Sequence, residues 1–104
     1  MTSEEVCEAA VLELAAVERG DSTVKLVSGD PLIGDVRFRS SNGWTFMVFS
    51  DGGEWDYIHR VTAPSGEELK VWPDAAKEGS ACMLKLINYR PPGGQSKTLW
   101  GFMD

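Results

Sequence analysis

The stretch from Asn42 to Tyr57, NGWTFMVFSDGGEWDY, carries the pattern on which the fold depends. Residues 44–49 are apolar on both faces of an extended chain, which is typical of a central strand that is covered on both sides. On either side of them, SSNG at 40–43 and DGGE at 51–54 have the glycines and short polar residues of tight turns. The stretch therefore predicts the middle of an antiparallel sheet.

The segments on either side continue the two-residue period of strands. DVRFR at 35–39 alternates apolar and charged residues, and residues 55–61 place Trp55, Tyr57, His59 and Val61 on one face. Further strands are predicted at 24–27, at 69–71 and at 81–89, with a short helical turn at 73–78 between the last two. The closing TLWGFMD is either an edge strand or a tail tucked against the sheet.

Residues 3–19 form a helical pattern before the sheet begins. Thr2 and Glu5 have the spacing of a capping box, and Gly20 ends the pattern. Glu4, Glu5 and Glu8 share one side of this helix. At 100° per residue, an opposite arc of about 140° holds the apolar residues: Val6, Cys7, Ala10, Val11, Leu14 and Val17.

We therefore predict an α+β fold in a single domain spanning 1–104. An amphipathic N-terminal helix at 3–19 packs on a meandering antiparallel sheet of five to seven strands, which occupies a β-rich region at 22–104. A chain of 104 residues with 42% hydrophobic and 25% charged residues has the size and composition of one globular domain.

The net charge of −6 is concentrated at the N-terminus. The first 21 residues hold six acids and one base, whereas the rest of the chain holds ten acids and nine bases. Because phosphate backbones are bound by basic patches, we expect no direct binding of nucleic acid. The acidic N-terminus does not fit a signal peptide, and no run reaches the roughly 18 apolar residues of a membrane span. We therefore expect a cytoplasmic protein that does not contact a membrane.

Asp51, Glu54, Asp56 and His59 form a cluster that could bind a divalent metal. Its spacing matches no calcium loop, however, and His59 is the one histidine of the chain. In a hairpin, Asp51 and Glu54 simply flank the turn glycines, and Asp56 lies on the opposite strand face from His59. We favour the hairpin interpretation and expect no metal.

No motif of nucleophilic or phosphate-binding catalysis is present in the sequence, neither GxSxG nor GxxxxGK[ST] nor GxGxxG. Cys7 and Cys82 lack the second pair that a zinc quartet or a disulfide framework needs, so we interpret them as free, partly buried thiols. The sequence therefore offers no catalytic residues and no cofactor, and it favours a protein that is not an enzyme.

Two features favour contact with a partner. Arg37 and Arg39 share one strand face, where Lys25 or Arg60 could join them to hold an anion or an acidic partner, although Arg37 and Arg39 could equally pair with nearby acids. The chain also has four Trp, two Tyr and four Phe, more than one core is expected to absorb. Trp100 and Phe102 are expected to be exposed, or buried only in a homodimer; alternatively they close the open end of the sheet.

The motifs SEEVC, GDVRF, NGWTFMVFSD, EWDY and APSGE, in that order, resemble a family of small uncharacterised proteobacterial proteins, often from pseudomonads. Members of that family show a similar run of GW, F.D, LDY and PDG. The resemblance covers residues 4–68, and the C-terminal third, with WPDAAKEG and YRPPGGQSKTLW, departs from the family. It implies a bacterial or phage origin and no activity.

These features favour a non-enzymatic module that binds an unidentified protein partner. A narrower version is an immunity or anti-defence protein that presents Glu4, Glu5 and Glu8 on a rigid helix to a basic surface.

Two other classes of function stay open. One is a small-molecule-binding protein or enzyme whose pocket is lined by Trp44, Trp55, Tyr57 and His59. The other is a structural or oligomerisation module in which the C-terminal aromatic residues lie in a twofold contact.

Overall fold

The computed structural model describes residues 2–73, 75 and 80–102, and it has the predicted α+β fold. The helix and the sheet are confirmed; the sheet has five antiparallel strands, each hydrogen-bonded to its neighbour in the chain. The predicted turn at 73–78 lies mostly outside the described residues. The elements are α1 (Ser3–Arg19), β1 (Val24–Asp30), β2 (Ile33–Ser40), β3 (Thr45–Asp51), β4 (Glu54–Thr62), β5 (Glu68–Lys70), α2 (Ala81–Ile87) and α3 (Gln95–Thr98).

Helix α1 begins and ends as the sequence predicts. The Glu5 amide donates a hydrogen bond to Thr2 Oγ1 at 3.1 Å, and the Thr2 amide donates one to Glu5 Oε1 at 2.8 Å, which completes a capping box. At the other end Gly20 adopts φ 84°, the left-handed conformation that glycine accepts without strain. The buried face of α1, which packs on the sheet and on α2, consists of Val6, Cys7, Ala10, Glu13, Leu14 and Val17.

One face of the sheet packs under the helices and forms the core. Val36 of β2, Val48 of β3 and Ile58 of β4 lie side by side in register, and all three side chains are fully buried. The neighbouring row on the same face is Phe38, Phe46, Val61 and Leu69. Because residues alternate between the two faces of a sheet, the residues between these rows point to the opposite face, which α1 does not cover.

Strand β4 does not follow the strict alternation that the sequence predicts. Its pairing with β3 shifts register twice, and His59 and Asp56 are left without a partner on β3. These irregularities are β-bulges, in which two residues of one strand face a single residue of the other.

As a consequence, Trp55, Ile58 and Val61, three residues apart, are the β4 residues that enter the core. Tyr57 and His59 are only partly buried and lie outside the core. The predicted shared face of Trp55, Tyr57, His59 and Val61 is therefore wrong, because a bulge separates Trp55 from Tyr57 and a second one displaces His59.

Residues 81–89 do not form a strand, and this prediction is also wrong. Residues 81–87 form the helix α2, which Ser80 caps by accepting a hydrogen bond from the Met83 amide at 3.2 Å. Cys82, Met83 and Leu86 are buried, a spacing that fits a helix and not a strand, whereas Leu84 is exposed. The β-rich region thus ends at β5, and the rest of the described chain is helical or irregular.

The C-terminal segment is a tucked tail that follows the short helix α3. Trp100 and Phe102 are buried in the core of this single chain, so the prediction that they are exposed or buried in a dimer is wrong. The ring of Trp100 packs edge-on against Phe38 at 5.0 Å and Trp55 at 4.9 Å between centroids. Of the two alternatives for the closing segment, the tail tucked against the sheet is the one observed, with Trp100 packed on residues of the central strands β2, β3 and β4.

Candidate functional site

The uncovered face of the sheet carries two rows of charged and polar side chains. In one row Arg37, Met47, Arg60 and Lys70 are paired across β2, β3, β4 and β5. In the next row the paired residues run from β1 to β5: Lys25, Arg39, Thr45, Thr62 and Glu68. Because directly paired residues point to the same face, the two rows form one continuous surface. We call this surface the basic face.

The basic face concentrates positive charge in an acidic protein. Its two rows hold five of the ten lysines and arginines of the chain and one of the sixteen aspartates and glutamates. The alternation of β2 predicted Arg37 and Arg39 on a common face. The register of the sheet adds Lys25 and Arg60, which the sequence left open, and Lys70, which sequence reasoning missed.

A cleft of about 260 Å³ opens between the arginines of the basic face. Met47 lies between Arg37 and Arg60 in the row, and it is only 9% exposed although none of the described helices covers this face. Its low exposure follows from the aliphatic stems of the arginines beside it, which cover apolar surface while their charged ends stay in water. Thr45 and Thr62 also line the cleft.

Few of the charges in the cleft are neutralised by neighbours. Arg60 Nη1 contacts Glu68 Oε1 at 3.1 Å, a partly exposed ion pair. Within the described part of the chain, the side chains of Arg37 and Arg39 have no ion pair or hydrogen bond, and both are exposed. The Nε of Arg60 is buried and has no acceptor among the described residues. The cleft therefore has donors without acceptors.

A third row borders the basic face, and the histidine contacts this row. Asp35, Phe49 and Tyr57 are paired across β2, β3 and β4, and the rings of Phe49 and Tyr57 stack at 5.5 Å. His59 Nε2 lies 3.1 Å from Asp35 Oδ1 as a close contact, but the two atoms are not aligned as a hydrogen bond. A cysteine mechanism would need a thiol beside this pair, and the thiol of Cys7 lies in the core on the other side of the sheet.

The four residues of the predicted aromatic pocket are divided between two regions of the molecule. Trp44 and Trp55 are buried in the core with Phe46 and Trp100. Tyr57 and His59 lie outside that core, and the Tyr57 ring contacts His59 and exposed Trp72.

The acids of α1 mostly serve intramolecular contacts. The capping hydrogen bonds from Thr2 hold the pKa of Glu5 below its usual value. Glu4 accepts a hydrogen bond from Ser80 at 3.3 Å, and Glu18 accepts one from the Tyr89 hydroxyl at 2.6 Å. Partner binding through Glu4, Glu5 and Glu8 stays a prediction, but of these three only Glu8 lacks such a contact among the described residues.

Cys7 and Cys82 are free thiols, as predicted, and both are buried rather than partly buried. They meet where α1 packs on α2. Burial, and then the hydrogen bond with Cys82, raises the pKa of the Cys7 thiol. A protonated thiol in the core is a poor nucleophile and a poor metal ligand, so this pair serves packing.

In residues 2–73, 75 and 80–102, no three potential metal ligands converge. None of the described helices is both long enough and apolar enough to cross a membrane. Comparison of this chain with family models, curated proteins and solved structures finds no match. The resemblance to the proteobacterial family therefore stays a prediction.

Proposed function

We propose that this protein is a non-enzymatic interaction module that binds an acidic protein segment on its basic face. The observation that supports the proposal is an uncovered sheet surface with five cations and one acid, on which Arg37 and Arg39 have no carboxylate partner among the described residues. Unpaired arginines can bind carboxylates through two parallel hydrogen bonds, which gives both energy and orientation.

The charge outside the basic face favours a short acidic segment over nucleic acid. Since the two rows take five of ten bases and one of sixteen acids, the rest of the chain retains five bases and fifteen acids. The five strands of the sheet span about 20 Å at their usual spacing. A long polyanion would extend past this width into acidic surroundings and be repelled, whereas a short segment would remain on the basic face.

The proposal can be tested with a fluorescently labelled peptide rich in Asp and Glu, whose binding is measured by fluorescence anisotropy at low and high salt. We expect binding that weakens with salt. The double variant Arg37→Glu with Arg39→Glu should lose affinity by about tenfold or more, since each reversal replaces an attraction by a repulsion. Circular dichroism verifies that the variant is folded.

The matched control is Lys85→Glu with Lys97→Glu, which changes the net charge equally on exposed positions of α2 and α3. This control should leave the affinity within about twofold of the parent. Equal losses in both double variants would mean that net charge alone attracts the peptide, and the proposal would fail. A single-stranded oligonucleotide that binds more tightly than the peptide would contradict the choice of a protein partner.

A further inference from the structure

Three arginines from two strands line the cleft of the basic face. Arg37 and Arg39 reach it from β2 and Arg60 reaches it from β4, while Met47 of the intervening strand lies at its base. Strands two positions apart in a sheet are separated by roughly 10 Å, a distance over which arginine side chains from both sides can converge on one group. The volume of about 260 Å³ is slightly below that of pockets that enclose a whole small molecule, so the cleft fits a functional group carried by a larger partner.

The charge and the donors of the cleft match a phosphoryl group better than a carboxylate. Three arginines and Glu68 give its lining a net charge of +2, and a phosphorylated side chain carries about −1.5 to −2 at pH 7. A carboxylate would neutralise only half of that charge. The three oxygens of a phosphate also accept more hydrogen bonds than the two of a carboxylate, and the exposed side chains of Arg37 and Arg39 have no carboxylate partner among the described residues.

The surface around the cleft is also positively charged and complements negative charge on a partner. Lys25 follows Arg39 at the β1 side of its row, and Lys70 follows Arg60 at the β5 side of the other row. Both lysines lie outside the lining of the cleft and are exposed. They are placed to contact acidic residues on either side of a phosphorylated residue.

We propose that the cleft between Arg37, Arg39 and Arg60 is a subsite for the phosphoryl group of a phosphorylated side chain within the acidic segment. This inference rests on the proposed function, since it places the phosphorylated residue in the same acidic partner. It specifies the chemistry by which that partner is recognised.

The experiment compares one acidic peptide in three forms, with a central serine, phosphoserine or aspartate, by isothermal titration calorimetry. We expect the phosphoserine peptide to bind about tenfold more tightly than the serine peptide. Because the second ionisation of a phosphate ester has a pKa near 6, this advantage should shrink as the pH falls below about 6.

The variant Arg37→Lys with Arg39→Lys tests the geometry of the cleft. It keeps both charges but removes the planar forks, so it should lose most of the phosphoserine advantage and retain binding of the serine peptide. The matched control, Arg19→Lys with Arg90→Lys, makes the same chemical change outside the cleft and should keep the advantage.

The other outcomes separate the two proposals. Suppose that all three peptides bind equally and that the double variant Arg37→Glu with Arg39→Glu abolishes their binding. The proposal of a phosphoryl subsite is then wrong, and the proposed function stands. If no peptide binds, both are wrong. Inorganic phosphate is also tested as a competitor. If it displaces the serine and phosphoserine peptides at concentrations near the dissociation constant of the phosphoserine peptide, the cleft binds the free anion. A phosphate carried by a protein is then ruled out as its specific ligand.

Discussion

Glu13 is a buried carboxylate that joins helix α1 to the sheet. Its two oxygens accept hydrogen bonds from Ser22 Oγ at 2.8 Å and from Asn42 Nδ2 at 2.9 Å, and the residue is only 6% exposed. Burial alone would raise the pKa of Glu13, but hydrogen bonds from Ser40, Asn42 and Ser22 outweigh it and lower the pKa below its usual value. The ionised form is therefore the one that the fold stabilises.

We predict that Glu13→Gln lowers the free energy of unfolding at pH 7 by about 1–3 kcal/mol, because an amide replaces a charged acceptor and leaves a donor of Ser22 or Asn42 unmatched. Since the pKa of Glu13 is lower in the folded protein, its stabilisation is present above the usual carboxyl pKa of 4.5 and is lost as the pH falls through the folded pKa. Urea denaturation at pH 7 and at pH 3 checks both statements.

The matched control for this substitution is Glu8→Gln on the exposed side of the same helix. It removes the same charge without removing an internal hydrogen bond, so the unfolding free energy should change by no more than about 0.5 kcal/mol. A difference between parent and Glu13→Gln that stayed constant between pH 7 and pH 3 would show that ionisation of Glu13 is not the source of the effect.

Helix α2 places Leu84 and Leu86 on different faces, whereas a strand would place both on the same face. In the structure Leu86 is fully buried and Leu84 is 42% exposed. We predict that Leu86→Ala lowers the unfolding free energy by about 2–5 kcal/mol, through lost burial and a residual cavity, and that Leu84→Ala changes it by about 0.5 kcal/mol or less. Urea denaturation of the two variants measures the difference. In a strand the two residues would share a face, so equal losses would contradict the helix.

The strand predicted at 81–89 was wrong because a short apolar run does not show its period. The segment ACMLKLI has only seven residues. Over so short a run, the period of 2 of a strand and the period of 3.6 of a helix both place apolar residues on each face, so the pattern does not distinguish the two structures. The distinguishing signals were Ser80, which caps the helix, and Lys85, which lies near its C-terminal end. Helix α1 was predicted correctly because it has 17 residues, a capping box and a terminal glycine.

The bulges of β4 could not be predicted from the sequence, for a different reason. Asp56 and His59 interrupt the pairing with β3, and nothing in their residue types marks them as bulges. Each bulge moves the side chains that follow it to the other face of the sheet. Because β4 has two bulges, the residues that enter the core are Trp55, Ile58 and Val61 and not the alternate residues that were predicted. Local propensity did not contain this information, because it depends on how both strands cover the core.

In the whole molecule, one face of the sheet gathers five of the ten lysines and arginines of the chain. The alternation of β2 sufficed to predict Arg37 and Arg39 on one face, but Lys70 could join them only through the order and register of five strands. The acids of the N-terminal segment, which suggested an interaction surface in the sequence, are largely hydrogen-bonded within the molecule. Charge counts along a chain therefore could not show which charges remain free on its surface.

Trp100 joins the C-terminal tail to the core. Trp100 is 2% exposed and contacts the rings of Phe38, Phe46 and Trp55, whereas Trp72 is 50% exposed. We predict that Trp100→Ala lowers the unfolding free energy by about 3–5 kcal/mol, a large share of the 5–15 kcal/mol typical of a domain. The matched control Trp72→Ala should cost about 1 kcal/mol or less. Urea denaturation followed by far-ultraviolet circular dichroism measures both losses.

Sedimentation of the parent protein tests whether Trp100 is buried within one chain or in a contact between two chains. If the parent is a dimer and Trp100→Ala converts it into an equally stable monomer, the burial of Trp100 within a single chain is contradicted.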